Sequence, residues 1–129
     1  GNYPDYRKLI PQEFTTTATL NRAELLNVTK ISSLFARESG GSVTIKADAK
    51  NASLSIHSVA SQLGENTASA SAKVVGGGSI TLNSRYLIAG LQALDGDEVS
   101  FCFNGKLEPS ALKNPTADDY IHIIMPLKS

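Results

Sequence analysis

One cysteine, no tryptophan and two histidines in 129 residues exclude a good deal. Cys102 has no partner for an internal disulfide, and neither it nor His57 or His122 stands at the spacing of a zinc site. No apolar run approaches the roughly 18 residues that a membrane helix needs, and no stretch has the pattern of a secretory signal. A reduced, soluble, cytoplasmic protein without metal or cofactor is the expectation. An excess of charge of one sign is also missing. Twelve basic residues balance twelve acidic ones. This argues against a protein that grips many phosphates by itself, so any nucleic-acid role must be loose or shared among several domains. The length is that of one ordinary domain, which buries roughly two-thirds of its unfolded surface and needs no covalent staple.

What is present is organised around Ser79-Ile80-Thr81-Leu82-Asn83-Ser84-Arg85-Tyr86-Leu87, a strand that turns directly into a helix running to about Leu94. Asn83 suits the N-cap, because its side-chain oxygen accepts a hydrogen bond from an orphan amide of the first turn. Leu82 and Leu87 flank it at the spacing of a hydrophobic staple. Thr19-Leu20-Asn21 repeats the corner, with Leu25 four residues past the asparagine and Glu24 placed to complete a capping box. Two such corners in one small chain point to a duplicated unit.

Residues 1–12, with Pro4 and Pro11 and no periodic pattern, read as a linker into a domain spanning 13–129, and the abrupt start leads us to expect a piece of a longer protein. Phe14 to Leu20 reads as a strand. The helix from Arg22 to about Ala36 carries Leu25, Val28, Ile31, Leu34 and Phe35 as an apolar stripe, and Gly40-Gly41 stops it. Alternating runs follow at Val43 to Ala47, Leu54 to His57 and Thr67 to Val74. The last has small residues where large ones are usual, which fits a crowded face, an edge that meets a partner, or a weak edge strand. Gly76-Gly77-Gly78 leads into a strand and not into a helix, which argues against a phosphate loop and for a flexible hinge between halves.

The second half repeats the first. Its corner and helix are followed by an acidic turn, then strands at Val99 to Phe103, Ser110 to Lys113 and Tyr120 to Met125. The corners are offset by 62 residues (81 minus 19) and the next strands by 56 (99 minus 43), so the second helix is the shorter one. The expected fold is α+β: a duplicated β-α-β-β-β unit, with two helices packed on eight largely antiparallel strands.

Catalytic chemistry is hard to assemble from these residues. His57 and His122 each sit alone in an alternating strand, without a nucleophile motif nearby. Asp95, Asp97 and Glu98 surround Gly96 without the ligand spacing of a calcium loop and read as a solvated turn. Cys102 alternates with Phe101 and Phe103 as a small apolar strand residue. A self-standing hydrolase or ligand-binding domain using a histidine with the acidic turn is therefore the weaker alternative. Met125 and Leu127, around the strand-ending Pro126, either cap the core or line a groove for apolar side chains of a peptide.

Three stretches together resemble a known family: Tyr3-Pro4-Asp5-Tyr6-Arg7-Lys8-Leu9-Ile10-Pro11, then Asn83-Ser84-Arg85-Tyr86-Leu87 with Leu91-Gln92-Ala93-Leu94, then Tyr120-Ile121-His122-Ile123-Ile124-Met125-Pro126-Leu127-Lys128. The chain is similar over its whole length to the third, C-terminal domain of the bacterial DNA polymerase III beta subunit, the sliding clamp. The resemblance implies a DNA clamp fold and a processivity role in replication without enzymatic activity. It also implies a three-domain subunit that dimerises head to tail into a ring around duplex DNA. Partner motifs from DNA polymerase, clamp loader and repair proteins would dock in a cleft walled here by Pro4, Lys8, Leu9, Asn83, Tyr86, Leu107, Pro109, Ile123, Ile124, Met125, Pro126 and Leu127. Leu34 and Phe35 would contact the other subunit beside an edge strand at Glu65 to Ala70, and Arg22, Lys30 and Arg85 would face DNA. For Tyr86, and for Leu34 with Phe35, a place in the domain's own core is the competing reading. Alone, this chain is expected to be a monomer.

Overall fold

The computed structural model describes residues 13–60 and 64–127, without the side chains of residues 38 and 117–120. The first half contributes β1 (Thr16–Asn21), α1 (Arg22–Phe35), a 3-10 turn (Ala36–Ser39), β2 (Ser42–Asp48), β3 (Ser53–Ala60), β4 (Gly64–Ser71) and β5 (Lys73–Val75). The second contributes β6 (Gly77–Asn83), α2 (Ser84–Ala93), β7 (Glu98–Phe103), β8 (Ser110–Asn114) and β9 (Ala117–Ile124). Two antiparallel sheets result, in the orders β5-β1-β7-β8-β9 and β4-β3-β2-β6. The fold is the expected α+β arrangement, with α1 packed against α2 and against β3 and β4.

The opening strand of each half completes the sheet of the other. β1 pairs with β7, and β6 pairs with β2. The two offsets read from the sequence reappear as matched contacts. Thr19 and Ser100 share a hydroxyl hydrogen bond of 3.0 Å, and their counterparts Thr81 and Thr44 share one of 3.1 Å. The first helical amides follow the same rule. Arg22 N–H donates to Asp97 O at 2.8 Å, and Ser84 N–H donates to Gly41 O at 2.7 Å. Each otherwise orphan donor is thus satisfied by the opposite half.

Both caps form as their chemistry dictates. The Asn21 side chain accepts from Glu24 N–H at 2.8 Å and Asn83 from Arg85 N–H at 2.9 Å, each bond contributing about 1 kcal/mol. Leu82 and Leu87, the expected staple pair, are fully buried. Between the layers lie Leu20, Leu25, Val43, Ile45, Leu54, Ile56, Ile80, Leu91, Val99, Phe101 and Leu112.

Three expectations need correction. The apolar stripe of α1 does not all face inward, because Ile31 and Leu34 are 49 % and 56 % exposed. The buried face is Leu25, Val28, Thr29 and Ser32. Thr29 Oγ1 donates to Leu25 O at 2.7 Å and Ser32 Oγ to Val28 O at 2.9 Å, so these hydroxyls enter the core already satisfied. The strand through Thr67 to Val74 is two strands. β4 and β5 belong to different sheets, and the small residues around Ala72 let the chain cross between them, so the described residues form nine strands. The triple glycine is a packed corner and no hinge. Gly77 and Gly78 pair with Asp48 and Ala47 inside β6, while Gly76 has φ +85° and a Cβ there would run into the Thr15 carbonyl oxygen.

Gly76→Ala is therefore expected to destabilise the fold by about 2–3 kcal/mol in urea titration, through left-handed strain plus overpacking. A hinge would tolerate the change within about 0.5 kcal/mol.

Candidate functional site

The last strand, β9, and the first turn of α2 enclose a cavity of about 380 Å³ lined by Tyr86, His122, Ile123, Ile124 and Met125. Tyr86 and Met125 are each 62 % exposed, so neither belongs to the core. Ile124 anchors the floor. It is buried, and its carbonyl accepts a hydrogen bond of 2.9 Å from the buried Ser110 hydroxyl. Beyond it the chain continues across the sheet boundary, where Leu127 N–H donates to Thr81 O at 2.9 Å. Met125-Pro126-Leu127 is thereby strapped beside the strand that delivers Asn83. Pro109 precedes Ser110, which pairs with Ile124, placing it at the Met125 end. Leu107, in the turn before it, is 70 % exposed.

Of the wall expected from the sequence, the cavity brings together Tyr86, Ile123, Ile124 and Met125. Asn83 is turned elsewhere. Its oxygen caps α2 and its Nδ2 donates to Gly40 O at 3.5 Å. Pro4, Lys8 and Leu9 lie outside the described residues. His122, which the sequence shows only as a lone histidine in an alternating strand, lines the cavity as well. It also packs on α2, because a Cβ on Gly90 would lie 2.6 Å from His122 Cδ2 and 2.7 Å from Leu112 Cδ1. The signal for that role was the bare Gly90 four residues after Tyr86, a spacing that puts both on one helix face.

The duplicated architecture contains a second groove at the equivalent place, lined by Asn21, Glu24, Asn51, Ala52, Ser71, Ala72, Lys73 and Glu98 among others. Corner, turn and crossing strand correspond by offsets of 62, 56 and 54 (83 minus 21, 107 minus 51, 127 minus 73). The crossing strands also make matched pairings, Lys73 with Thr19 and Leu127 with Thr81. Tyr86 thus replaces Glu24, Leu107 replaces Asn51, and Met125-Pro126-Leu127 replaces Ser71-Ala72-Lys73. At these matched positions the Tyr86 groove carries larger apolar side chains, while the twin's own apolar lining is confined to Leu20, Ala52 and Ala72.

The remaining sequence-predicted residues fall into place singly. Leu34 is exposed and Phe35 half-buried at the end of α1, whose flank packs on the edge strand β4. Arg22 is committed to backbone. Its Nε donates to Gly96 O at 2.7 Å and its Nη1 to Leu91 O at 2.9 Å. This sets a cation at the end of α2, which has no basic residue in its own last turn. Lys30 and Arg85 are exposed, and Arg85 Nη2 donates to Gly40 O at 3.2 Å.

The alternative catalytic set does not assemble. His57 is in the β4-β3-β2-β6 sheet with Nδ1 2.8 Å from Thr67 Oγ1, whereas His122 is in the other sheet. The acidic turn uses its Asp95, Gly96 and Asp97 carbonyls to hold Asn114 and Arg22. Cys102 is fully buried, and burial pushes its thiol up, against smaller opposing effects of the Thr17 hydroxyl and the Lys113 charge. It stays a neutral thiol. Among the described residues no cluster of three metal-ligating side chains occurs, and no helix is long and apolar enough to cross a membrane.

Residues 7–128 match the model of the DNA polymerase III beta subunit, C-terminal domain. The chain belongs to this family. The beta sliding clamps of Staphylococcus epidermidis and Staphylococcus aureus are each 31 % identical to it over 131 aligned positions, covering all of this chain and 34 % of theirs. The chain therefore spans about a third of the length of the curated relatives it matches. Among solved structures, the DNA polymerase sliding clamp of Bacillus subtilis superposes with a TM-score of 0.91 at 29 % identity, over all of this chain and 34 % of that one. The beta subunit of Thermotoga maritima gives 0.93 at 22 % identity, with 100 % and 35 % covered, a likeness of fold. The clamp domain reading of the sequence is thus correct at the level of family and fold.

In this clamp domain Gly90 sets how closely α2 approaches β9. Gly90→Ala gains about 1 kcal/mol of helix propensity, but overpacking against His122 and Leu112 costs about 1–3 kcal/mol. A net loss of about 1 kcal/mol is expected by urea titration, with amide shifts concentrated at Tyr86 and His122.

Proposed function

We propose that this chain is the C-terminal third of a sliding clamp subunit, a non-enzymatic cytoplasmic processivity factor, and that its Tyr86–Met125 cleft docks short motifs of DNA polymerase, clamp loader and repair proteins. The observation that carries the reading is the contrast between the twin grooves. Tyr86 and Met125 stand exposed over an apolar floor of Ile123 and Ile124, whereas their counterparts in the twin are the polar Glu24 and Ser71. A flexible methionine beside an aromatic ring adapts to leucine or phenylalanine side chains, and the exposed Tyr86 hydroxyl is available to a glutamine amide. Leu107, Pro109, Pro126 and Leu127 extend the wall, Asn83 supports it from behind as the cap of α2, and the family resemblance assigns Pro4, Lys8 and Leu9, outside the described residues, to the same wall.

The same family membership supports a reading of the wider assembly. A chain covering about a third of its relatives' length fits a subunit of three such domains. Ile31 and Leu34 put exposed apolar surface at the end of α1. Next to them the outer edge of β4 has no strand partner among the described residues. We assign head-to-tail pairing of subunits, through Leu34, Phe35 and the Glu65 to Ala70 edge, to this face. Arg22, Lys30 and Arg85 carry the charge that the helices offer to duplex DNA. So few cations give weak, sequence-independent, salt-sensitive contact, which suits a sleeve that slides and is retained by enclosure.

A peptide carrying glutamine and leucine/phenylalanine is expected to shift the amides of Tyr86, Met125 and Leu127 in NMR titration, weakly, because the wall from the preceding domain is missing. Tyr86→Ala and Met125→Ala should each weaken binding about tenfold, a loss of about 1.4 kcal/mol typical of a central contact. Shifts confined to the polar twin groove would reject the assignment. Light scattering of this chain alone should give a monomer.

A further inference from the structure

Where α1 ends and α2 begins, Ser33, Arg37, Gly40, Gly41, Ser84 and Arg85 line a cavity of about 250 Å³. Two of these six residues are arginines, both exposed, and none is acidic. Among the described residues no carboxylate pairs with either guanidinium. Arg85 spends one donor on Gly40 O and keeps the rest. Ser84, at the first position of α2, is completely buried, and its hydroxyl has no hydrogen-bond partner. Ser58 Oγ and Asn66 Nδ2 share this lack among the described residues, but of the three only Ser84 lines this cavity, where an acceptor could complete it.

The helix amides do not supply the attraction. Ser84 N–H is taken by Gly41 O and Arg85 N–H by Asn83 Oδ1. The negative end of α1 also meets the positive end of α2 here, so their dipoles oppose and the local field is that of the two guanidinium groups. Gly40 and Gly41 hold the turn open at φ +69° and +90°, and a Cβ on Gly40 would meet nothing within 4 Å. The equivalent corner at the other end of the molecule is different. There Arg22 Nε and Nη1 both donate to carbonyls, and the cavity lining is Gly96, Asp97, Glu98, Asn114 and Thr116, with two carboxylates and no arginine. A cationic cavity is therefore not a by-product of the clamp fold.

We propose that this corner is a seat for one phosphate-type anion, held by the guanidinium groups of Arg37 and Arg85 and by the Ser84 hydroxyl. Planar guanidinium groups match the oxygen geometry of phosphate, and the serine proton supplies the remaining donor. The phosphate belongs either to the backbone of a nucleic acid or to a free anion. The seat stands on its own geometry, and only its attribution to a nucleic-acid backbone rests on the ring reading above.

The test is an NMR titration of the chain with inorganic phosphate at constant ionic strength, with chloride as control and a short DNA duplex in a parallel series. Phosphate should move the amides of Gly40, Gly41, Ser84 and Arg85 saturably. Arg37→Gln should weaken this about tenfold, the loss of one charge-assisted donor, with an unchanged thermal midpoint because the side chain is exposed. Ser84→Ala tests the hydroxyl in the same titration and should weaken binding while relieving an unsatisfied buried group. Phosphate shifts no larger than those of chloride, or shifts indifferent to Arg37→Gln, would overturn the seat. A duplex that competes with phosphate at these amides makes the backbone the occupant. One that moves other α1 and α2 amides alone leaves the seat to free phosphate and keeps the ring reading. A duplex that moves nothing counts against DNA contact by this domain, while the phosphate series still decides the seat.

Discussion

The backbone ladder between β1 and β7, from Thr16 opposite Phe103 to Asn21 opposite Glu98, and its counterpart between β6 and β2 hold the rest of the molecule in place. Each sheet is incomplete without a strand from the other half. Each helix starts by donating its first amide to the other half as well. These bonds bridge large separations in sequence, 81 residues between Thr19 and Ser100, so neither half can satisfy its backbone alone. Such non-local pairing is slow to form. Once formed, it fixes the helix N-termini, and with them Tyr86 and Arg85, relative to both sheets.

That constraint acts on the backbone and leaves side chains free to diverge. The threonine and serine hydroxyls that bridge the exchanged strands are retained in both halves, because they face each other across a ladder. Around the grooves nothing in the ladder dictates the side chain. Glu24, Asn51 and Lys73 occupy one copy, and Tyr86, Leu107 and Leu127 the other. The helix-end corners diverge likewise, with Arg22 anchored to two carbonyls and Arg85 to one in a cavity it shares with Arg37. One duplicated frame thus carries two different surface chemistries at matched positions.

Much of the frame was legible in the chain itself. Asn21 and Asn83 announced the helix starts because a cap bond is local and its residue preference strong. The offsets of 62 and 56 announced the duplication. The α1 face was misjudged, since counting apolar residues ignores that Thr29 and Ser32 can bond their own helix and be buried. The Gly76 corner was misjudged because a glycine required by a close approach looks, in sequence, like one required by flexibility. Of the cleft, Tyr86 and the Ile123-Ile124-Met125 run could be named from resemblance to a family, but His122 could not. Its packing against Gly90 joins two elements about thirty residues apart.

The sequence by itself determined where the helices begin, that the unit is doubled, that no nucleophile motif surrounds its thiol or histidines, and which family the chain resembles. These are properties of local bonding and composition, readable within a few residues of each signal. Tertiary structure alone decided that the halves exchange their opening strands and that the small-residue strand crosses between sheets. It also decided that Asn83 looks away from the cleft while His122 lines it, and that Arg37 and Arg85 meet over an unpartnered serine. Each depends on which distant backbone satisfies which donor, and no single stretch of chain carries that information.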